Sequence, residues 1–113
     1  MTAYAIAHLR SVVPHPDIPR YMEEIQATMD PFGGRFRVHN AKVEVKEGSW
    51  PGFVVVIEFP DFDAASAWYD SPAYQEILPL RTRHIEGDLV LVPGVADGYD
   101  ASESAAQARA AAV

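Results

Sequence analysis

Between Gly52 and Phe59 the chain reads GFVVVIEF. A β-branched run of this kind favours a strand, and successive side chains of a strand point to opposite faces. Phe53, Val55, Ile57 and Phe59 therefore share one face, while Val54, Val56 and Glu58 share the other. A strand that is apolar on both faces needs cover on both. A chain of 113 residues has room for one domain around one core. Whatever covers the first face, the second needs a further layer.

The rest of the chain supplies the first layer. AYAIAHLR, from Ala3 to Arg10, alternates as a strand does. PHPD then turns the chain, and Asp17 is expected to cap a helix running to Met29. Ile18, Tyr21, Met22, Ile25 and Met29 fall on one stripe of that helix. Pro19 sits in its first turn, where a missing N–H costs nothing. DPFGG stops the helix, with Gly33 and Gly34 expected to take positive φ.

Arg35 to Gly48 reads as a second strand that bends near Asn40, and Gly87 to Gly94 as the last strand. Asp61 is a suitable N-cap for a second helix. That helix ends at Asp70, which precedes proline and is pushed out of the α region. Ser71 and Pro72 start a new helix at once, and Pro79 is expected to limit it to two turns. Beyond Val95 no large apolar residue follows except Tyr99 and the final valine. Residues 96–113 are therefore expected to form a mobile, alanine-rich tail outside a 1–95 domain, helical only if something docks it.

The order is β-α-β-β-α-β, an α+β, ferredoxin-like arrangement with a four-stranded antiparallel sheet. Its helices cover one face of the sheet. The cheapest cover for the face carrying Val54 and Val56 is a second copy of the same sheet, which predicts a homodimer paired sheet to sheet.

Composition removes several functions. Cysteine is absent, which excludes disulfides, thiolate nucleophiles and cysteine-ligated zinc and suits a cytoplasmic protein. Sixteen acidic against nine basic residues give a charge of −7, and the arginines are scattered, so no nucleic-acid partner is expected. No apolar run is long enough to span a membrane. The opening MTAYAIAHLRSVV lacks a basic stretch ahead of its apolar run and reads as a strand, not a leader.

Five stretches carry a family likeness: GGRF from Gly33, VEVKEG from Val43, VVVIEFPDFDAASAWYDSPAYQ from Val54, LPLR from Leu78 and LVLVPGV from Leu89. Over Thr2 to Val95 the chain resembles the DUF1330 family of the dimeric α/β-barrel superfamily. The resemblance implies a ferredoxin-like subunit, paired sheet to sheet into a dimeric α/β barrel, with a cleft between sheet and helices. It implies little about activity, since superfamily members include cofactor-independent monooxygenases, haem-degrading enzymes, lactone isomerases and non-catalytic dimeric modules. Where the family often has Arg-Gly-Gly after the second strand, this chain has His39-Asn40-Ala41. If that arginine holds an anion in relatives, this protein either binds something else or uses His39 instead.

No phosphate-cradling, zinc-protease or serine-nucleophile motif is present. Glu58 is the acid whose position on a strand face raises the question of burial. A carboxylate there either finds an arginine such as Arg10 or Arg35 or becomes a candidate base. His8 lies on the first strand and is the other candidate base. Tyr21, His39, Trp68, Tyr69 and Tyr74 are the candidate ligand-binding residues, since aromatics with a polar tip suit the wall of a cleft. The tyrosines and Trp68 also have an ordinary explanation as core, and His39 as a solvated or hydrogen-bonded histidine.

The expected function is binding of a small organic molecule, with cofactor-free proton-transfer or oxygenation chemistry open to it. No cofactor or metal is assigned. The alternatives are a non-catalytic dimeric module and a haem or metal protein, the latter through His8, His39 and Glu58.

Overall fold

The computed structural model describes residues 1–113. Strand β1 (Ala3–Val12) is followed by helix α1 (Asp17–Met29), strands β2 (Arg35–Ala41) and β3 (Phe53–Phe59), helices α2 (Phe62–Asp70) and α3 (Pro72–Thr82), and strand β4 (Ile85–Pro93). Helix α4 (Ala105–Ala111) closes the chain. The strands form one antiparallel sheet in the order β2-β3-β1-β4. This is the expected ferredoxin-like arrangement.

Alternation decides which face is the core. Ala3, Ala5, Ala7 and Leu9 of β1 and Val55, Ile57 and Phe59 of β3 are buried, whereas the residues between them are half-buried. The buried set packs beneath the helices with Ile18, Ile25, Met29, Trp68, Tyr74 and Ile77. On the other face, direct pairing aligns Val38, Val56, Ile6 and Val90 in one apolar row across all four strands. Val90 is 55% exposed at its end of that row.

Several local expectations are met, and several are corrected. Asp61 caps α2, accepting from the Ala64 N–H at 2.7 Å. Ser71 caps α3 by accepting from Tyr74 N–H, and its hydroxyl donates to the Trp68 carbonyl at 2.6 Å. Asp17 is not a cap: it is the first helical residue, and its carboxylate turns to the histidines described below. Pro79 does not limit α3 to two turns, because the helix continues through it to Thr82. A proline removes one backbone bond to the turn before it, and the buried stripe Tyr74–Ile77–Arg81 holds the helix together across that gap.

β2 ends at Ala41 rather than near Gly48, after register shifts that put Asn40 at φ 52°. Gly33 has the expected positive φ, but Gly34 does not. Gly34 is needed for space, since a Cβ there would lie 2.6 Å from the Phe59 ring. In the tail, Asp100 and Glu103 form a capping box ahead of α4, and no residue from Ala96 onward is buried.

Candidate functional site

A cleft opens between the sheet and the helices. Ala5, Ala7 and Leu9 of β1 form its floor with Val55 and Ile57 of β3, and Ile18, Tyr21 and Ile25 of α1 form its roof. Phe36, His39 and Asn40 line it on the β2 side, Arg81, Ile85 and Leu89 on the β4 side, and Trp68 within. Alanines on the floor leave the gap, because a methyl group reaches less far from the sheet than a leucine or phenylalanine would. The space open to a water-sized sphere is about 40 Å³, or about three waters.

Three polar groups meet in the roof. The Tyr21 and Tyr74 hydroxyls are hydrogen-bonded at 2.7 Å, and the Arg81 guanidinium lies over the Tyr21 ring, 5.7 Å from its centre. That distance is within cation–π range. Burial pushes the Tyr21 hydroxyl well above the usual tyrosine range, and the neighbouring Tyr74 pushes the same way. Tyr21 is therefore a neutral hydrogen-bond donor at any physiological pH. Burial pulls the Arg81 pKa down and the two tyrosine oxygens beside it push it up, with a net rise, and a guanidinium is charged at physiological pH in any case. Arg81 is only 8% exposed, yet no carboxylate forms an ion pair with it.

The candidate residues separate into three places. Tyr21, His39 and Trp68 line the cleft. Tyr74 is fully buried behind it, reaching the cleft through its hydrogen bond to Tyr21, and Tyr69 packs against Tyr74 with ring centres 5.6 Å apart. His8 and Glu58 are not brought to the cleft, because both sit at half-buried positions that alternate with the core residues. His8 stacks on Trp50 and donates from Nε2 to the Pro51 carbonyl at 2.7 Å. Glu58 pairs with Arg37 at 3.1 Å and Arg35 at 3.5 Å. The grouping of His8 with Tyr21 and Trp68 does not form, and His8, His39 and Glu58 do not come together as a possible metal site.

In the sequence Arg81 is one of several scattered arginines. The signal was present: Tyr74, Ile77 and Arg81 share one helical stripe, so an arginine stands where a buried residue belongs. Asn40 reads in the sequence as a bend, and its position on the bulged β2 brings it to the cleft.

A second polar cluster lies outside the cleft. His84 Nε2 and Asp17 Oδ2 are 2.9 Å apart, and the His15 and His84 rings stack with centres 3.9 Å apart and planes 10° from parallel. The ligating atoms of His15, Asp17 and His84 lie within 4.8 Å of one another. His15 Nδ1 accepts the Asp17 backbone N–H at 3.0 Å, so that nitrogen is occupied. Parallel rings also direct their in-plane lone pairs alongside each other, not toward one ion.

The hydrogen bond to His84 lowers the Asp17 pKa from its ordinary 3.8, with burial opposing and the charges of His15, His84 and Arg83 assisting. A lowered carboxylate pKa gives stability that is present above the unfolded value and lost as pH falls through the folded one. The stability difference between wild type and Asp17→Asn is thus expected to be full near neutrality and to vanish in acid. Urea denaturation across pH 2–7, with both proteins at one concentration, checks it.

Comparison with known proteins settles the family. The model for DUF1330, a domain of unknown function, matches residues 2–95. The chain belongs to the DUF1330 family. This DUF1330 chain has no match among curated proteins. Its fold is similar to that of a protein of unknown function from Rhodopseudomonas palustris, at 16% identity and TM-score 0.64, over 84% of this chain and 83% of that one. It is also similar to a dimeric ferredoxin-like protein of unknown function from Jannaschia (14% identity, TM-score 0.58), over 83% of this chain and all of that one. A third similar structure is SnoaB, a cofactor-independent oxygenase from Streptomyces nogalater, at 13% identity and TM-score 0.57, with 88% and 97% covered. At such identities the likeness is one of fold. No helix of the DUF1330 chain is long and apolar enough to cross a membrane.

Proposed function

We propose that this DUF1330 protein binds a small organic molecule in the cleft between its sheet and helices. The alanine-floored, largely apolar cleft with a few convergent polar groups carries this reading, because that is the usual form of a small-molecule site. Tyr21 donates a hydrogen bond to the ligand, His39 and Asn40 offer polar contacts at the β2 side, and Trp68 backs the site. Chemistry without a cofactor is supported by analogy with the similarly folded oxygenase SnoaB. In that case His39 is the candidate base that lines the cleft, while His8 and Glu58 lie at positions that alternate with the core residues.

Ligand-observed NMR against a panel of small organic molecules tests the reading, with Ala7→Leu as the variant that fills the floor. Binding to wild type and its loss in the variant are expected. If no panel member binds, or if Ala7→Leu binds as well as wild type, the cleft is only a packing gap.

The open face supports the second part of the reading, a homodimer paired sheet to sheet. Val38, Val56, Ile6 and Val90 give it an apolar centre, and Arg35, Arg37, Glu58 and Asp88 a charged border. That layout is the anatomy of an interface, and the Jannaschia relative is dimeric. Light scattering after size exclusion is expected to give twice the 12.4 kDa of one chain. Val56→Lys, which buries a charge in the apolar row, is expected to give a monomer. A wild-type monomer at micromolar concentration would remove the proposal.

A further inference from the structure

We propose that the cleft ligand is a small monocarboxylate whose carboxylate pairs with Arg81. This rests on the reading of the cleft as a small-molecule site and adds the charge of what it holds.

A cation taken out of water needs a counter-charge or a full set of hydrogen-bond acceptors. Arg81 has neither. The other arginines of the folded domain that make ion pairs do so near the surface: Arg10 with Asp88, Arg20 with Glu24, and Arg35 and Arg37 with Glu58. Arg81 is the most buried cation, and it has only a ring face and two neutral hydroxyls beside it. In a chain of net charge −7, with sixteen carboxyl side chains to draw on, none is placed against it.

The missing partner belongs in the cleft that Arg81 lines. A planar guanidinium fork matches a carboxylate in two parallel hydrogen bonds. Tyr21, kept neutral by burial, supplies a further donor to the same anion. The remaining walls, Ala5, Ala7, Ile18 and Leu89, accept an apolar body. The open space of about 40 Å³ suits a short-chain acid of a few heavy atoms. A longer or aromatic acid requires the roof to move outward.

The test compares acetate, butyrate and benzoate with acetamide, butyramide and benzamide, using saturation-transfer NMR and calorimetry on the full-length protein. At least one acid is expected to bind wild type about tenfold or more tightly than its amide, the difference that a charge-assisted hydrogen bond makes. Arg81→Met is expected to bring acid and amide to equal affinity. Arg81→Lys, which keeps the charge but not the fork, is expected to fall between.

Equal binding of acids and amides to wild type would overturn the proposal while leaving the cleft a small-molecule site. Absence of binding by every probe, acid or amide, would overturn both. Unchanged acid binding in Arg81→Met would also overturn it, since the anion would then be held elsewhere.

Discussion

Trp68→Ala is expected to destabilise the protein by about 3–5 kcal/mol, the range for emptying an aromatic site in a core. Small domains have total stabilities of roughly 5–15 kcal/mol, so much of this protein's stability would go. Trp68 is fully buried, with its ring centre 5.3 Å from Phe59 and 4.2 Å from Tyr74. Its indole N–H donates to Thr28 Oγ1 at 3.0 Å, joining α2 to α1. Alanine would leave a hole among residues of both helices and the sheet, and none of them can close it alone. Thermal unfolding should shift down by roughly 10–20 °C. Trp68→Phe keeps most of the ring and drops the hydrogen bond, and should cost about 1–2 kcal/mol. Equal losses for the two variants would mean that ring volume is not what Trp68 contributes.

Gly52→Ala is expected to be nearly as damaging, although the change adds a single methyl group. Gly52 has φ +83°, and a Cβ there would lie 1.9 Å from the Leu9 carbonyl oxygen and 2.9 Å from that of Arg10. Both atoms are backbone of β1, beside the point where Leu9 pairs with Phe53. The methyl group can fit only if β1 and β3 part at their shared end. Left-handed backbone costs an alanine about 1–2 kcal/mol, and overpacking adds about 1–3 kcal/mol. Gly48 separates the two effects, since it has φ +77° with nothing within 4 Å of its would-be Cβ. Gly48→Ala should therefore lose only the conformational part. Urea midpoints measured at one protein concentration check the difference, and matching midpoints would show that the close approach to Leu9 carries no weight.

The strands and their faces were readable because alternation is a local property. GFVVVIEF declares two apolar faces whichever partners it meets, and the structure buries Val55, Ile57 and Phe59 while leaving Val54 and Val56 on the open side. The joint at Asp70–Ser71–Pro72 was readable for the same reason, since capping and the effect of proline act within a few residues. Pro79 does not stop α3 because its local cost is outweighed by packing of the stripe through Arg81, which lies against Tyr21 of α1. Asp17 looked like a cap from its neighbours, but its partner His84 is 67 residues away.

The candidate site divided along the same line. Tyr21 was assigned to the cleft from the helical stripe it shares with Ile18 and Ile25, and it lines the cleft. His8 and Glu58 were drawn toward it by residue type, and strand parity puts both on the opposite face. That parity was available in the sequence. The missing piece was which face of the first strand the helices would take, and this depends on the right-handed connections of the whole fold.

The sequence alone determined the element order, the two-faced central strand, most helix boundaries and the absence of cysteine chemistry, all of which depend on short-range pattern or on composition. Only the tertiary structure decided that alanines of β1 leave a gap beneath α1 and that Arg81 enters it without a carboxylate. It alone also set Val38, Val56, Ile6 and Val90 in one row. Those facts join residues distant in the chain, and the free energy of a buried charge or an uncovered row depends on what the rest of the fold brings beside it.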